Sequence, residues 1–293
     1  MDRKTFVRTA LLVPLALAGA TAAAGPFSEC PEGAFLAQTA NARFYAVDLG
    51  SGNYRELHRT SGRGVINAIG FSVHDSYLYG WNKPTQTLLR IHEDYTIDEL
   101  SLTPAVASNF YVGDVSILEN AYYMYRRGRS DVHGLWRVDL DDTSPDYLSP
   151  QRITDGQNPF LNIFDFAFHP DNGLAYTVDP TGRLYSMDPA TGQATEISNV
   201  GVTGTFGAVY FDIGGNFYIS HNATGRIYSI DLTASSPTAT YFSQGPSSSQ
   251  NDGARCALAS VPEVQQTLWD FGDAPNSYGT DIDGNGARHQ QST

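Results

Sequence analysis

The segment Thr181-Gly182-Arg183-Leu184-Tyr185-Ser186-Met187-Asp188 returns almost letter for letter as Thr224-Gly225-Arg226-Ile227-Tyr228-Ser229-Ile230-Asp231, and this repeat limits the fold more than any other feature. Around the first copy the chain reads as four short strands, Phe164–Phe168, Leu174–Val178, Arg183–Met187 and Ala194–Ile197. They are separated by Pro170-Asp171-Asn172-Gly173, Asp179-Pro180-Thr181-Gly182 and Asp188-Pro189-Ala190-Thr191-Gly192. These separators are turns, because proline presets φ, glycine supplies positive φ, and Asp or Asn bonds nearby backbone. A four-stranded unit repeating at roughly 40–45 residues predicts a β-propeller blade.

Two further units follow the same plan, one starting at Asn67 and one at Gly113, the latter carrying the acidic insertion Asp141–Asp146 before a last strand near Gln151–Thr154. The N-terminal unit has only three strands, Ala34–Gln38, Arg43–Leu49 and Tyr54–His58. Aligning first strands as Ala68–Phe71, Asp114–Ile117, Asp165–Phe168 and Ala208–Phe211 leaves one spare strand, Asp252–Ala259, at the far end of the chain. A ring closed by strands from both ends supplies the missing strand and removes the exposed edges. The predicted fold is therefore all-β, a propeller of about five four-stranded blades, or six if Thr103–Tyr111 or the acidic insertion holds strands. The same closure places strand 252–259 beside 34–38 and predicts a disulfide between Cys30 and Cys256, the only cysteines.

At the N-terminus, Arg3, Lys4 and Arg8 precede an apolar run from Ala10 to Ala18 and then Ala22-Ala23-Ala24, the layout of a secretory signal peptide over residues 1–24. No later run is long and apolar enough to span a bilayer, so no membrane insertion is expected after cleavage. The propeller then covers 25–260, and 261–293 reads as a linker and a largely disordered tail. The formal charge of −13 repels phosphate backbones and anionic membranes, which argues against nucleic acid as a partner.

The tail carries Trp269-Asp270-Phe271-Gly272-Asp273-Ala274-Pro275-Asn276-Ser277-Tyr278-Gly279-Thr280 and then Asn285-Gly286-Ala287-Arg288-His289. This spelling resembles the opening of modules in large bacterial surface and adhesin-like proteins, where it follows an exported propeller domain of unknown function; residues 30–260 resemble that domain. The resemblance implies a secreted or surface-displayed chain, or one held in the periplasm, acting as a monomer on a protein or glycan ligand.

Catalytic signatures are sparse. The seven histidines form no zinc-binding grouping, and no serine elbow, dinucleotide fingerprint or phosphate loop occurs. His169 falls in a turn, and so does the sequon Asn222-Ala223-Thr224. Asp281, Asp283 and Asn285 match the first half of a calcium loop, but its twelfth position is Ser292 rather than glutamate, so a Gly-Asn turn is the stronger reading and no cofactor is assigned. Polar residues at first-strand starts face a propeller's axis, and there Asn67, Asp114, Asp165 and Asp252 are candidates to share one divalent ion. That arrangement resembles the metal site of lactonase and gluconolactonase propellers, which implies hydrolysis of lactones as the alternative to a non-catalytic binding or scaffolding role. The side chains would otherwise cap strand ends.

Overall fold

In a computed structural model, residues 24–38, 43–59, 66–128, 132–153 and 161–262 are described, together with the backbone of 269–270 and 289–290. The signal peptide expected over 1–24 lies, except for Ala24, outside the described residues, as does the half calcium loop expected at Asp281, Asp283 and Asn285.

Five four-stranded antiparallel sheets form the ring. Blade 2 is β4 (Ile66–Phe71), β5 (Leu78–Asn82), β6 (Thr87–Ile91) and β7 (Ile97–Leu100); blade 3 is β8 (Val112–Val115), β9 (Ala121–Arg126), β10 (Gly134–Asp139) and β11 (Pro150–Arg152). Blade 4 is β12 (Ala167–Phe168), β13 (Ala175–Val178), β14 (Arg183–Met187) and β15 (Ala194–Asn199). Blade 5 is β16 (Phe206–Phe211), β17 (Phe217–His221), β18 (Arg226–Ile230) and β19 (Ala239–Gln244). Blade 1 takes β20 (Asn251–Ala254) from the C-terminal side as its innermost strand, followed by β1 (Ala34–Gln38), β2 (Arg43–Val47) and β3 (Tyr54–Arg59), in the order β20-β1-β2-β3. First strands neighbour one another around a full circle, β20 to β4 to β8 to β12 to β16 and back to β20. Neither Thr103–Tyr111 nor the acidic insertion contributes a blade of its own.

The ring holds because alternating side chains pack between blades. Each of the five apolar clusters joins one pair of neighbours, as where Phe35, Phe71 and Phe27 meet between blades 1 and 2 and Val178, Phe206 and Phe211 meet between blades 4 and 5. Near the axis the first strands approach backbone to backbone. A Cβ on Gly70 would stand 2.4 Å from Val115 N, and one on Gly253 would stand 2.7 Å from Ala208 Cβ, so glycine is required by close approach at both. A second device recurs in the turn between first and second strands: Tyr79 donates to Asp75 (2.6 Å), Tyr123 to Glu119, and Tyr218 to Asp212 (3.0 Å), while Asn172 donates to Tyr176 (3.1 Å).

Closure follows the predicted pairing. Phe35, Leu36, Ala37 and Gln38 lie opposite Ala254, Gly253, Asp252 and Asn251. Cys30 and Cys256 are bonded, with their Cα atoms 5.6 Å apart. The closing strand is shorter than 252–259, ending at Ala254, because the Arg255 side chain turns inward and bonds the carbonyls of Cys256 and Ala259, folding the chain away from the sheet. The first strand of blade 4 is likewise shorter than Phe164–Phe168. Asp165 Oδ1 accepts from Phe166 N–H and the Asp165 carbonyl accepts from Thr177 Oγ1, so side chains replace the ladder there.

Candidate functional site

Asp165 and Asp252 are 0% and 1% exposed at the ring axis, and Asp114 is largely buried beside them. Each carboxylate bridges from its own first strand to the backbone of the next blade. Ile69 N–H of blade 2 donates to Asp252 Oδ2 at 2.6 Å, Phe168 N–H of blade 4 donates to Asp114 Oδ2 at 3.2 Å, and Val209 N–H of blade 5 donates to Asp165 Oδ2 at 2.9 Å. The other oxygen of Asp114 and of Asp165 accepts the N–H of the following residue, Val115 and Phe166 respectively, at 2.8 Å in both cases.

Register explains which amide each acid reaches. Phe71, Val115, Phe168 and Phe211 occupy equivalent rungs, opposite Leu78, Tyr122, Ala175 and Phe217. Asp114 therefore lies one rung from the turn, two closer than the alignment of Asp114 with Asp165 predicts, and its bond falls correspondingly lower, on Phe168. Asn67 sits opposite Trp81, just before a register shift in β4 that puts Ala68 at φ 54°. Tyr122 Oη donates to the carbonyl of Ala68 at 2.6 Å across the interface between blades 2 and 3. Among the described residues no group of three or more His, Cys, Asp or Glu side chains is placed to hold a metal ion.

Burial pushes the Asp114 carboxyl up to about 8, against the opposing pull of its two amide donors. Burial likewise raises Asp165 and Asp252 well above the ordinary carboxylate range, with neighbouring carboxylates adding to the effect. Three acids in one dry axis with a single nearby ammonium, Lys83, cannot all ionise, so the native ring retains protons that the unfolded chain releases. Because the folded pKa values lie above the unfolded carboxylate range, this stabilisation is complete in acid, below the unfolded pKa. It is lost as pH climbs from the unfolded pKa through the folded one, a window of about 4 to 8 for Asp114. Urea titrations of the chain and of Asp114→Asn should therefore diverge across that window, the native chain losing stability relative to the variant by on the order of 1.4 kcal/mol per pH unit. Parallel curves would contradict a protonated axis.

Other residues singled out in the sequence are accounted for by turns. His169 Nδ1 accepts Asp171 N–H at 3.1 Å, and Asn222 is buried with its Oδ1 accepting Gly207 N–H at 2.9 Å. Elsewhere, Arg126 at the end of β9 and Arg127 just after it donate to Ser108 Oγ and Asn162 Oδ1. Sequence reasoning did not single out Arg255, 5% exposed, whose guanidinium donates to five carbonyls beside the disulfide.

These features define a five-bladed β-propeller closed by strands from both ends of the chain. Residues 35–258 match the family described as a repeat of unknown function (DUF6923), and the chain belongs to that family. No curated protein is a significant match. Among solved structures, a protein of unknown function from Bacteroides thetaiotaomicron superposes with a TM-score of 0.51 at 11% identity, over 76% of this chain and 58% of that one, so this chain spans little more than half of that protein's length. A chain of a nidogen/laminin complex gives a TM-score of 0.52 at 14% identity, covering 74% of this chain and 77% of the other. A gluconolactonase from Xanthomonas campestris reaches only 0.47, at 15% identity over 75% and 80% of the two chains. At such identities the likeness is one of fold.

Proposed function

We propose that this chain is an exported, non-catalytic β-propeller, a monomeric binding or scaffolding module of the cell surface or extracellular space that engages a protein or glycan ligand. The observation that carries this reading is the engagement of Asp114, Asp165 and Asp252 with the backbone of the next blade. Carboxylate oxygens that accept amide protons, on carboxyls that burial keeps neutral, are poor ligands for a divalent ion. Their work is to rivet the ring. A disulfide joining the two ends suits an oxidising compartment and supports export. The tail motif starting at Trp269 supports placement in an adhesin-like protein.

The competing reading, metal-dependent lactone hydrolysis, needs Asn67, Asp114, Asp165 and Asp252 to share one cation. Metal analysis of protein purified without chelator, combined with a lactone hydrolysis assay, separates the two. The expected result is substoichiometric Ca, Mn and Zn and no turnover above buffer. One metal per chain, lost together with turnover in Asp165→Asn, would overturn the binding-module reading.

A further inference from the structure

Among the described residues six large apolar side chains stand exposed, and they fall into two groups. Tyr54, Ile197 and Tyr241 lie on the outermost strands β3, β15 and β19. Leu118, Ile213 and Leu258, at 63%, 53% and 45% exposure, instead crown the end of the axis where first strands finish. Leu118 is in the turn from β8 to β9, Ile213 is in the turn from β16 to β17, and Leu258 follows β20. The turns at this end lean on one another. A Cβ on Gly173 would stand 2.3 Å from Leu118 Cδ1 and one on Gly215 would stand 2.9 Å from His169 Nε2, while Ile213 N–H donates to the Ala259 carbonyl at 3.1 Å. The three aliphatics therefore stand on one arc that runs from blade 3 over blades 4 and 5 to the seam. Exposed apolar side chains gathered in one place and rimmed by polar groups mark interaction surfaces.

The rim here is acidic. Asp171 is exposed in the first turn of blade 4, and Asp48, Asp141, Asp142, Asp146 and Asp231 are exposed in turns between third and fourth strands, at the same end of the ring. The cations of the ring at this end, among the described residues, are Arg55, Arg90, Arg137 and Arg255. Arg90 pairs with Asp98 at 2.8 Å, Arg137 pairs with Glu119 at 2.7 Å, and Arg255 is buried. The remaining lysine and arginines lie toward the opposite end, where Arg43 stands opposite Arg59, Arg226 opposite Gln244, and Lys83 directly after Asn82. The formal charge of −13 is thus weighted toward the end that carries the aliphatics.

We propose that this end of the ring docks a protein partner whose surface presents cations around an apolar centre, with Leu118, Ile213 and Leu258 meeting that centre and the surrounding aspartates meeting its lysines and arginines. The proposal rests on the binding-module reading above and names the chemistry of its partner. An apolar middle inside a polar rim is the anatomy of a protein interface, and opposite charges across the rim set orientation and association rate. Acidic glycans, nucleic acid and anionic membranes meet like charge here. The chain's own continuation leaves from the same end, after Ser260, whose carbonyl accepts from Arg255. Residues 263–293, however, carry Glu263, Asp270, Asp273, Asp281 and Asp283 against Arg288 alone, so they are repelled as well.

Calorimetric titration of the full chain with a synthetic amphipathic helix, leucines on one face and lysines on the other, tests this, with the same helix carrying serine in place of leucine as control. The leucine helix should bind about tenfold or more tighter than the serine helix, and its binding should weaken with added salt. Leu118→Ser combined with Ile213→Ser should weaken binding about tenfold or more, and so should Asp142→Lys combined with Asp171→Lys. Tyr54→Ser combined with Tyr241→Ser, at exposed positions on outer strands, should leave it unchanged. Melting temperatures of the variants should stay within about 2 °C of the native chain, as surface substitutions allow. Equal binding of the two helices, or an equal loss in the tyrosine pair, would overturn the site. So would self-association of the native chain that the Leu118 and Ile213 pair abolishes, since a second copy would then be the occupant. Such a failure is distinguishable from failure of the non-catalytic reading, which metal content and lactone turnover decide separately.

Discussion

Removing the bridge between Cys30 and Cys256, by reduction or by serine at both positions, should lower the unfolding free energy by about 5 kcal/mol in the chain-entropy picture of cross-links. The size comes from the sequence separation of 226 residues, since the bond ties nearly the whole propeller into one covalent loop and restricts its unfolded ensemble. Single domains are stable by only about 5–15 kcal/mol, so this is a large share of the total. The site of opening also matters. Without the bond, the ring relies at its seam on the four-residue pairing of β20 with β1, the flanking apolar clusters and Arg255. Urea unfolding with and without a phosphine reductant reads this as a drop in midpoint. A midpoint indifferent to reductant would mean that the seam is held by side chains and ladder alone.

The fold was legible because its signals are local and repeated. Thr-Gly-Arg before each of β14 and β18 marks a turn and the alternating strand after it, and two such copies suffice to set the blade. The seam was legible by subtraction, since blade 1 lacks a first strand and Asp252 begins one without a blade. What escaped depends on register. Asp114 and Asp165 look alike in sequence, each opening an apolar run, but the ladder puts them two rungs apart, and that offset decides which amide each carboxylate bonds. Strand patterns give alternation and leave the rung unstated. The tyrosine bonds to Asp75 and Glu119 share an acid-to-tyrosine spacing of four residues across the first turn, a signal present in the chain that the search for strands passes over, whereas Asp212 reaches Tyr218 across six. The exposure of Leu118, Ile213 and Leu258 leaves no trace in sequence at all, because an aliphatic residue beside a strand reads as core whether or not a neighbour covers it.

Arg255 shows the same limit and carries the second large expectation. In sequence it is simply one residue of the predicted closing strand 252–259. In the ring its Nη1 donates to the carbonyls of Phe211, Cys256 and Ala259, at 3.0, 3.1 and 2.8 Å, and its Nη2 to those of Glu32 and Ser260, at 3.0 and 2.7 Å. One side chain thereby joins the segment before β1, the last strand turn and the edge of blade 5. Arg255→Met fits the same stem but leaves these carbonyls without their charged donor, and should cost about 3–5 kcal/mol, several buried acceptors losing a charge-assisted bond at once. Arg255→Lys should recover part of the loss, because an ammonium offers three donors from a single atom and cannot span carbonyls on both sides of the seam. The disulfide secures the same junction, so the two losses should not add: in the reduced chain Arg255→Met should cost measurably less or more than in the oxidised one. A double-mutant cycle in urea measures that coupling, and strict additivity would show that guanidinium and disulfide close the ring independently.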